Sequence, residues 1–102
     1  MKKIICLCGS TKFKAEFEKA NRQLTLKGYI VLAPGVFMHS DGTRLTTDQK
    51  IKLDQLHKIK IDMSDQIFVV AVGGYIGPST RSEIDYAEKL GKRITYLELP
   101  HK

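Results

Sequence analysis

Three stretches of this 102-residue chain carry residue types that do chemistry. One is Gly9-Ser10-Thr11-Lys12, directly after an apolar run. A second is Pro34 to Leu45, which holds His39, Asp41 and Arg44. The third is Gly73-Gly74-Tyr75-Ile76-Gly77-Pro78-Ser79-Thr80, with Glu83 just beyond it. A strand that passes through glycines into a helix N-terminus suits phosphate or sugar oxygens. Unpaired backbone N–H groups and the positive end of the helix dipole converge there. Ser10, Lys12, Ser79 and Thr80 are therefore candidate ligand contacts, on turns shaped by Gly9 and Gly77. Ser10 and Ser79 have a plainer use as helix caps. Glu83 also has two uses. Thr80-Arg81-Ser82-Glu83 fits a capping box, in which the carboxylate reaches back to the N-cap N–H. Alternatively, Glu83 is a nucleophile for the anomeric carbon of an N-glycoside, kept ionised by the helix N-terminus.

The elements that must position these residues follow from the hydrophobic pattern. Lys3 to Cys8 is a strand, apolar without a break from Ile4 on, as in a strand covered on both faces. Phe13, Phe17, Ala20 and Leu24 make one stripe of a helix from about Lys12 to Lys27, capped by Ser10 or Thr11 and closed by Gly28. Tyr29 to Ala33 is a second strand. The connection Pro34 to Leu45 is long for a strand-to-helix loop, which suits a pocket wall. Its Ser40-Asp41-Gly42 equally suits a surface turn. A second helix opens at Thr46 with Gln49 completing a capping box. Leu53, Leu56, Ile59 and Met63 form its expected inward stripe. Gln66 to Val72 is a third strand. A third helix runs from about Thr80 to Leu90, with Ile84, Ala87 and Leu90 inward and Gly91 beyond it. Arg93 to Glu98 is a fourth strand.

Strands alternating with helices predict a flavodoxin/Rossmann-like three-layer α/β/α fold, built on a parallel four-stranded sheet of order 2-1-3-4. The switch point then lies between strands one and three. That rule brings the Gly9 turn, the Gly77 turn and the Pro34 to Leu45 loop to one crevice. The length suits a single domain over residues 1–102.

Composition narrows the function classes. A hydrophobic fraction of 42% with 27% charged residues is that of a water-soluble globular chain. No apolar run approaches membrane-spanning length. The apolar segment after Met1-Lys2-Lys3 is too short for a secretory signal, so a cytoplasmic protein is expected. The net charge of +6 is spread over several elements. Without a compact basic patch interleaved with aromatics, nucleic acid is not an expected partner. The charge would still attract a small anion such as a nucleotide. Cys6 and Cys8 lie one strand period apart and face the same way. That spacing is poor for a disulfide and offers no second ligand pair for zinc, so two buried thiols and no metal are expected. No Walker A pattern occurs, and Gly9 stands alone where a dinucleotide fingerprint needs three glycines. No cofactor is expected.

Leu7-Cys8-Gly9-Ser10 resembles the opening of the nucleoside 2-deoxyribosyltransferase-like superfamily. The 2′-deoxynucleoside 5′-phosphate N-hydrolase branch is the closer likeness. Asp65-Gln66-Ile67-Phe68-Val69-Val70 is similar to that group's third strand. Gly77, then Glu83-Ile84-Asp85-Tyr86-Ala87, is similar to its Gly-x-Glu-φ-Gly-Tyr/Arg-Ala segment, with φ apolar. The resemblance implies that Glu83 attacks C1′ and forms a covalent glycosyl-enzyme, which passes the sugar to a base or to water. It implies that Ser10, Lys12 and Ser79 hold a 5′-phosphate, and that subunits associate into a homodimer or larger assembly. The family places a second acid eight residues before the aspartate that opens strand three. Here that position, counted back from Asp65, is His57. A histidine can also protonate a leaving base. The expected function is thus N-glycosidic bond cleavage or transfer on a nucleoside or nucleotide. The alternative is a nucleotide-binding sensor on the same fold, without turnover.

Overall fold

A computed structural model of the chain describes residues 3–37, 41–42 and 44–99. Strand β1 is Lys3–Cys8, helix α1 Lys14–Leu26, strand β2 Tyr29–Leu32 and helix α2 Thr47–Met63. Strand β3 is Gln66–Val69, helix α3 Pro78–Lys89 and strand β4 Arg93–Tyr96, with a 3-10 turn at Val72–Gly74 between β3 and α3. The strands form one parallel sheet in the order β2-β1-β3-β4, as the alternation predicts.

β1 is the hub. It pairs with β2 from Lys3↔Tyr29 to Cys6↔Leu32, and with β3 from Ile5↔Gln66 to Cys8↔Val69. Ile5, Cys6, Leu7 and Cys8 are all buried, because helices cover both faces. Leu7 packs with Phe17 and Ala20 of α1. Cys6 and Cys8 turn the other way, into a cluster with Ile61 of α2 and Ile84 and Ala87 of α3. Each large side chain buried in these two cores contributes roughly 1.5–3 kcal/mol. Asp65 ties the start of β3 to β1: its carboxylate accepts from the Ile4 N–H at 2.8 Å, and its N–H donates to the Ile4 carbonyl at 2.8 Å.

The boundaries shift where local chemistry overrides the pattern. α1 begins at Lys14, and neither Ser10 nor Thr11 caps it. Residues 10–13 instead form their own turn, with the Phe13 N–H donating to the Ser10 carbonyl at 3.1 Å. The Thr46/Gln49 capping box on α2 is formed in both directions. β3 stops at Val69 because the Ala71 N–H folds back onto the Val69 carbonyl. Gly73 and Gly74, at φ +63° and +79°, then carry the chain through the 3-10 turn. α3 starts at Pro78 with Gly77 as its N-cap. Thr80 is thus its third helical residue and buried, so the Thr80–Glu83 capping box does not form. Leu90 lies beyond α3 and is exposed.

The largest correction concerns α2. Leu56, Ile59 and Met63 are 52%, 51% and 59% exposed, whereas His57 and Ile61 are buried. Apolar residues occur on more than one side of this helix, so their periodicity does not define the inner face. Tertiary contacts define it. The Lys60 ammonium donates to the Ala33 carbonyl at 2.8 Å, and the Tyr86 hydroxyl donates to the Asp62 carboxylate at 2.6 Å. No helix among the described residues is long and apolar enough to cross a membrane.

Candidate active site

A cleft of ≈ 490 Å3 opens at the carboxyl ends of β1 and β3. Its size is within the roughly 300–1,000 Å3 typical of small-ligand sites. Gly9, Ser10 and Thr11 form one wall and Gly77, Pro78, Ser79 and Thr80 another. Pro34, Gly35 and Val36 approach from the end of β2, and α2 contributes Lys50, Asp54, His57 and Lys60. Glu83, from the second turn of α3, also lines the cleft.

The two walls can meet because Gly9 has no side chain. Its φ is +151°, and a Cβ there would stand 2.8 Å from the Val70 carbonyl oxygen and 3.2 Å from Cζ of Phe17. On the opposite wall, α3 opens with Gly77 and Pro78 and has no side-chain cap. The first backward helical bond of this turn is from the Arg81 N–H to the Gly77 carbonyl at 2.9 Å. The Ser79 and Thr80 N–H groups precede it and have no intrahelical acceptor.

Side chains from three elements converge at the base of the cleft. His57 Nε2 is 3.6 Å from Cys6 Sγ, 3.5 Å from Cys8 Sγ and 3.9 Å from Glu83 Oε1. His57 and Glu83 side chains are only 8% and 13% exposed. Among the described residues, Glu83 Oε1 is the buried side-chain oxygen without a hydrogen-bond partner.

Burial is the largest single influence on Glu83 and on His57. It pushes the Glu83 carboxyl up to about 7, against the opposing pull of His57. The expectation that the helix N-terminus keeps Glu83 ionised is thereby corrected. Glu83 lies past the first turn, where the dipole effect has faded. Burial pulls His57 down, but Cys6 and Glu83 beside it leave it raised overall. The neighbouring Cys8 thiol is the main cause that lowers Cys6 to about 6, and Cys6 in turn pushes Cys8 well up. Two thiols, an imidazole and a carboxyl thus lie close enough to alter one another's proton affinity.

The structure brings most of the sequence candidates together. Gly9, Ser10, His57, Gly77, Ser79, Thr80 and Glu83 all line the cleft. Lys12 does not; its ammonium sits 3.9 Å above the ring of Tyr75, which does. Asp41 also stands outside the lining and pairs with Lys14 at 2.8 Å. His39 lies outside the described residues. Lys50, Asp54 and Lys60 join the site without having been expected. The signal for that face of α2 was His57 itself, a polar residue four positions before buried Ile61. Cys6 and Cys8 are free buried thiols, as expected. Their proximity to His57 is visible only once α2 is rotated into place.

Comparison with curated proteins returns no match. A family defined only as a domain of unknown function, DUF4406, matches residues 6–96, a span from β1 to the end of β4 that includes every cleft element. The chain belongs to the DUF4406 family.

Proposed function

We propose that this protein cleaves or transfers the N-glycosidic bond of a nucleoside or nucleoside 5′-monophosphate, in the manner of nucleoside 2-deoxyribosyltransferase-like enzymes. One observation carries the reading. Glu83 is a carboxylate held at the base of a nucleotide-sized cleft, between two helix-entry turns, with one oxygen unsatisfied and His57 3.9 Å away. A carboxylate so placed can attack C1′ as the base departs, through an oxocarbenium-like transition state. The bond formed is C1′–O of Glu83; the bond broken is C1′–N, whose electron pair leaves with the base. His57 would supply the proton that the leaving base takes up. Water or a second base then attacks C1′ and frees Glu83. The unpaired N–H groups of Ser79 and Thr80, with Lys50 and Lys60 across the cleft, suit an anionic 5′ group. Leu56, which lines the cleft, and Ile59 and Met63 further along α2 are exposed apolar residues, and they support association into a homo-oligomer.

One observation favours a second reading, a nucleotide-binding sensor without turnover. A carboxyl raised to about 7 is only partly ionised near neutrality, which weakens it as a nucleophile. Glu83→Gln separates the two. For an enzyme, base release from a deoxynucleoside monophosphate falls by orders of magnitude while melting temperature holds. A sensor shows ligand-dependent thermal stabilisation with no base release in wild type. Base release that persists per folded Glu83→Gln molecule refutes the covalent mechanism.

A further inference from the structure

We propose that Cys6, Cys8 and His57 form a zinc(II) site, with Glu83 as the fourth ligand. The atoms needed are already gathered. Cys6 Sγ, Cys8 Sγ and a ring nitrogen of His57 lie within 4.8 Å of one another, and all three residues are buried. Zinc bonds of about 2.3 Å to sulfur and 2.0–2.1 Å to nitrogen, at a tetrahedral angle, place sulfur and nitrogen about 3.6 Å apart. The observed separations from His57 Nε2 are 3.6 Å and 3.5 Å. Glu83 Oε1 is 3.9 Å from the same nitrogen and lacks a hydrogen-bond partner. The tetrahedral nitrogen–oxygen edge is about 3.4 Å, so a small side-chain adjustment completes the set.

The ligand chemistry selects the metal class. Two thiolates, an imidazole and a carboxylate suit a borderline-soft, tetrahedral ion and disfavour magnesium or calcium. The linear sequence conceals the site because Cys6-Leu7-Cys8 supplies only two ligands. The third and fourth come from α2 and α3, which pack side by side over the same sheet face. The cleft is the entry path, since His57 and Glu83 line it. Ligation needs two thiolates, a neutral imidazole and a carboxylate, so whatever protons these four groups hold pass to solvent on binding.

Zinc at this position engages the carboxylate that the proposed reaction needs. Metal loading and base release therefore exclude one another, a consequence that rests on the N-glycoside reading; the metal site itself does not.

Cobalt(II) is the probe, added to the reduced wild-type protein under anaerobic conditions. The chain has two cysteines, so a sulfur-to-cobalt charge-transfer band reports on Cys6 and Cys8 alone. One equivalent per chain is expected, with tetrahedral visible bands, and zinc displaces the cobalt. Cys8→Ala and His57→Ala should each weaken uptake at least about 100-fold, beyond the 10–100-fold typical of losing an outer-shell partner. Circular dichroism of the same samples establishes that they are folded. If folded, reduced wild type gives no charge-transfer band, the site does not exist, whether or not a variant folds. A band that survives unchanged in His57→Ala also overturns the four-ligand site. Base release is assayed separately, with and without zinc. Its absence from the metal-free form of a protein that binds cobalt refutes the N-glycoside reading and leaves the metal site standing.

Discussion

Replacing Gly9 by alanine tests the packing on which the cleft depends. Two costs add. The backbone at φ +151° is in a region that side-chain-bearing residues avoid, at roughly 1–3 kcal/mol. The new Cβ would also stand 2.8 Å from the Val70 carbonyl oxygen. That oxygen belongs to backbone, and the Val70 N–H is itself held by the Cys8 carbonyl at 2.7 Å. It cannot yield as a flexible side chain would, and such overpacking costs roughly 1–3 kcal/mol. The expected loss is therefore about 2–6 kcal/mol. Gly28→Ala is the control: φ is +97°, with nothing within 4 Å of the added atom. It incurs the backbone cost alone. Urea denaturation of both variants isolates the contact as their difference, about 1–3 kcal/mol. For a chain of this size that is roughly 4–24 °C in melting temperature. If Gly9→Ala and Gly28→Ala lose equal stability, the close approach of the β1–α1 turn to β3 is not what requires glycine, and the account of the cleft wall fails.

The orientation of α2 gives a second test. Ile61→Ala should cost about 2–5 kcal/mol as a buried truncation, while Ile59→Ala should stay within about 0.5 kcal/mol; equal losses in denaturant would reverse the assigned face. A third concerns association. Met63→Glu changes an exposed residue and should leave monomer stability within about 0.5 kcal/mol, yet lower the sedimentation coefficient of any assembly that uses this stripe. An unchanged oligomeric state in Met63→Glu and Leu56→Glu would remove the α2 stripe from the interface.

The sheet was legible because its signals are long and mutually consistent. An apolar run at Ile4 to Cys8 and glycines closing two helices leave few alternatives to alternating strands and helices. The crevice followed from strand order, and with it the positions of Ser10, Ser79 and Glu83. What was not legible depends on tertiary choice. Leu56, Ile59 and Met63 have helical spacing as convincing as the true inner face. Tertiary contacts, among them Ile61 in the core, Lys60 to Ala33 and Tyr86 to Asp62, select the face carrying His57 and Ile61. Thr80 to Glu83 matches a capping box in letters. Pro78 starts the helix earlier, which moves Thr80 inward and leaves Glu83 for the cleft. The cluster of Cys6, Cys8, His57 and Glu83 spans three elements, and no local pattern encodes it.

The position of β1 at the centre of the sheet has a consequence for biosynthesis. Its bond to the Asp65 carboxylate joins residues 61 positions apart. A ribosome therefore completes β1 long before β3 exists. β2 can cover one edge earlier, but the other edge, with the apolar side chains of Ile5 to Cys8, waits for Gln66 to Val69. During that interval the nascent chain carries an unpaired strand edge, a template for wrong partners. Closing a loop of that length before any contact rewards it also slows folding. Chaperone demand for this small protein should thus be set by the delay between its first strand and its third, more than by its size.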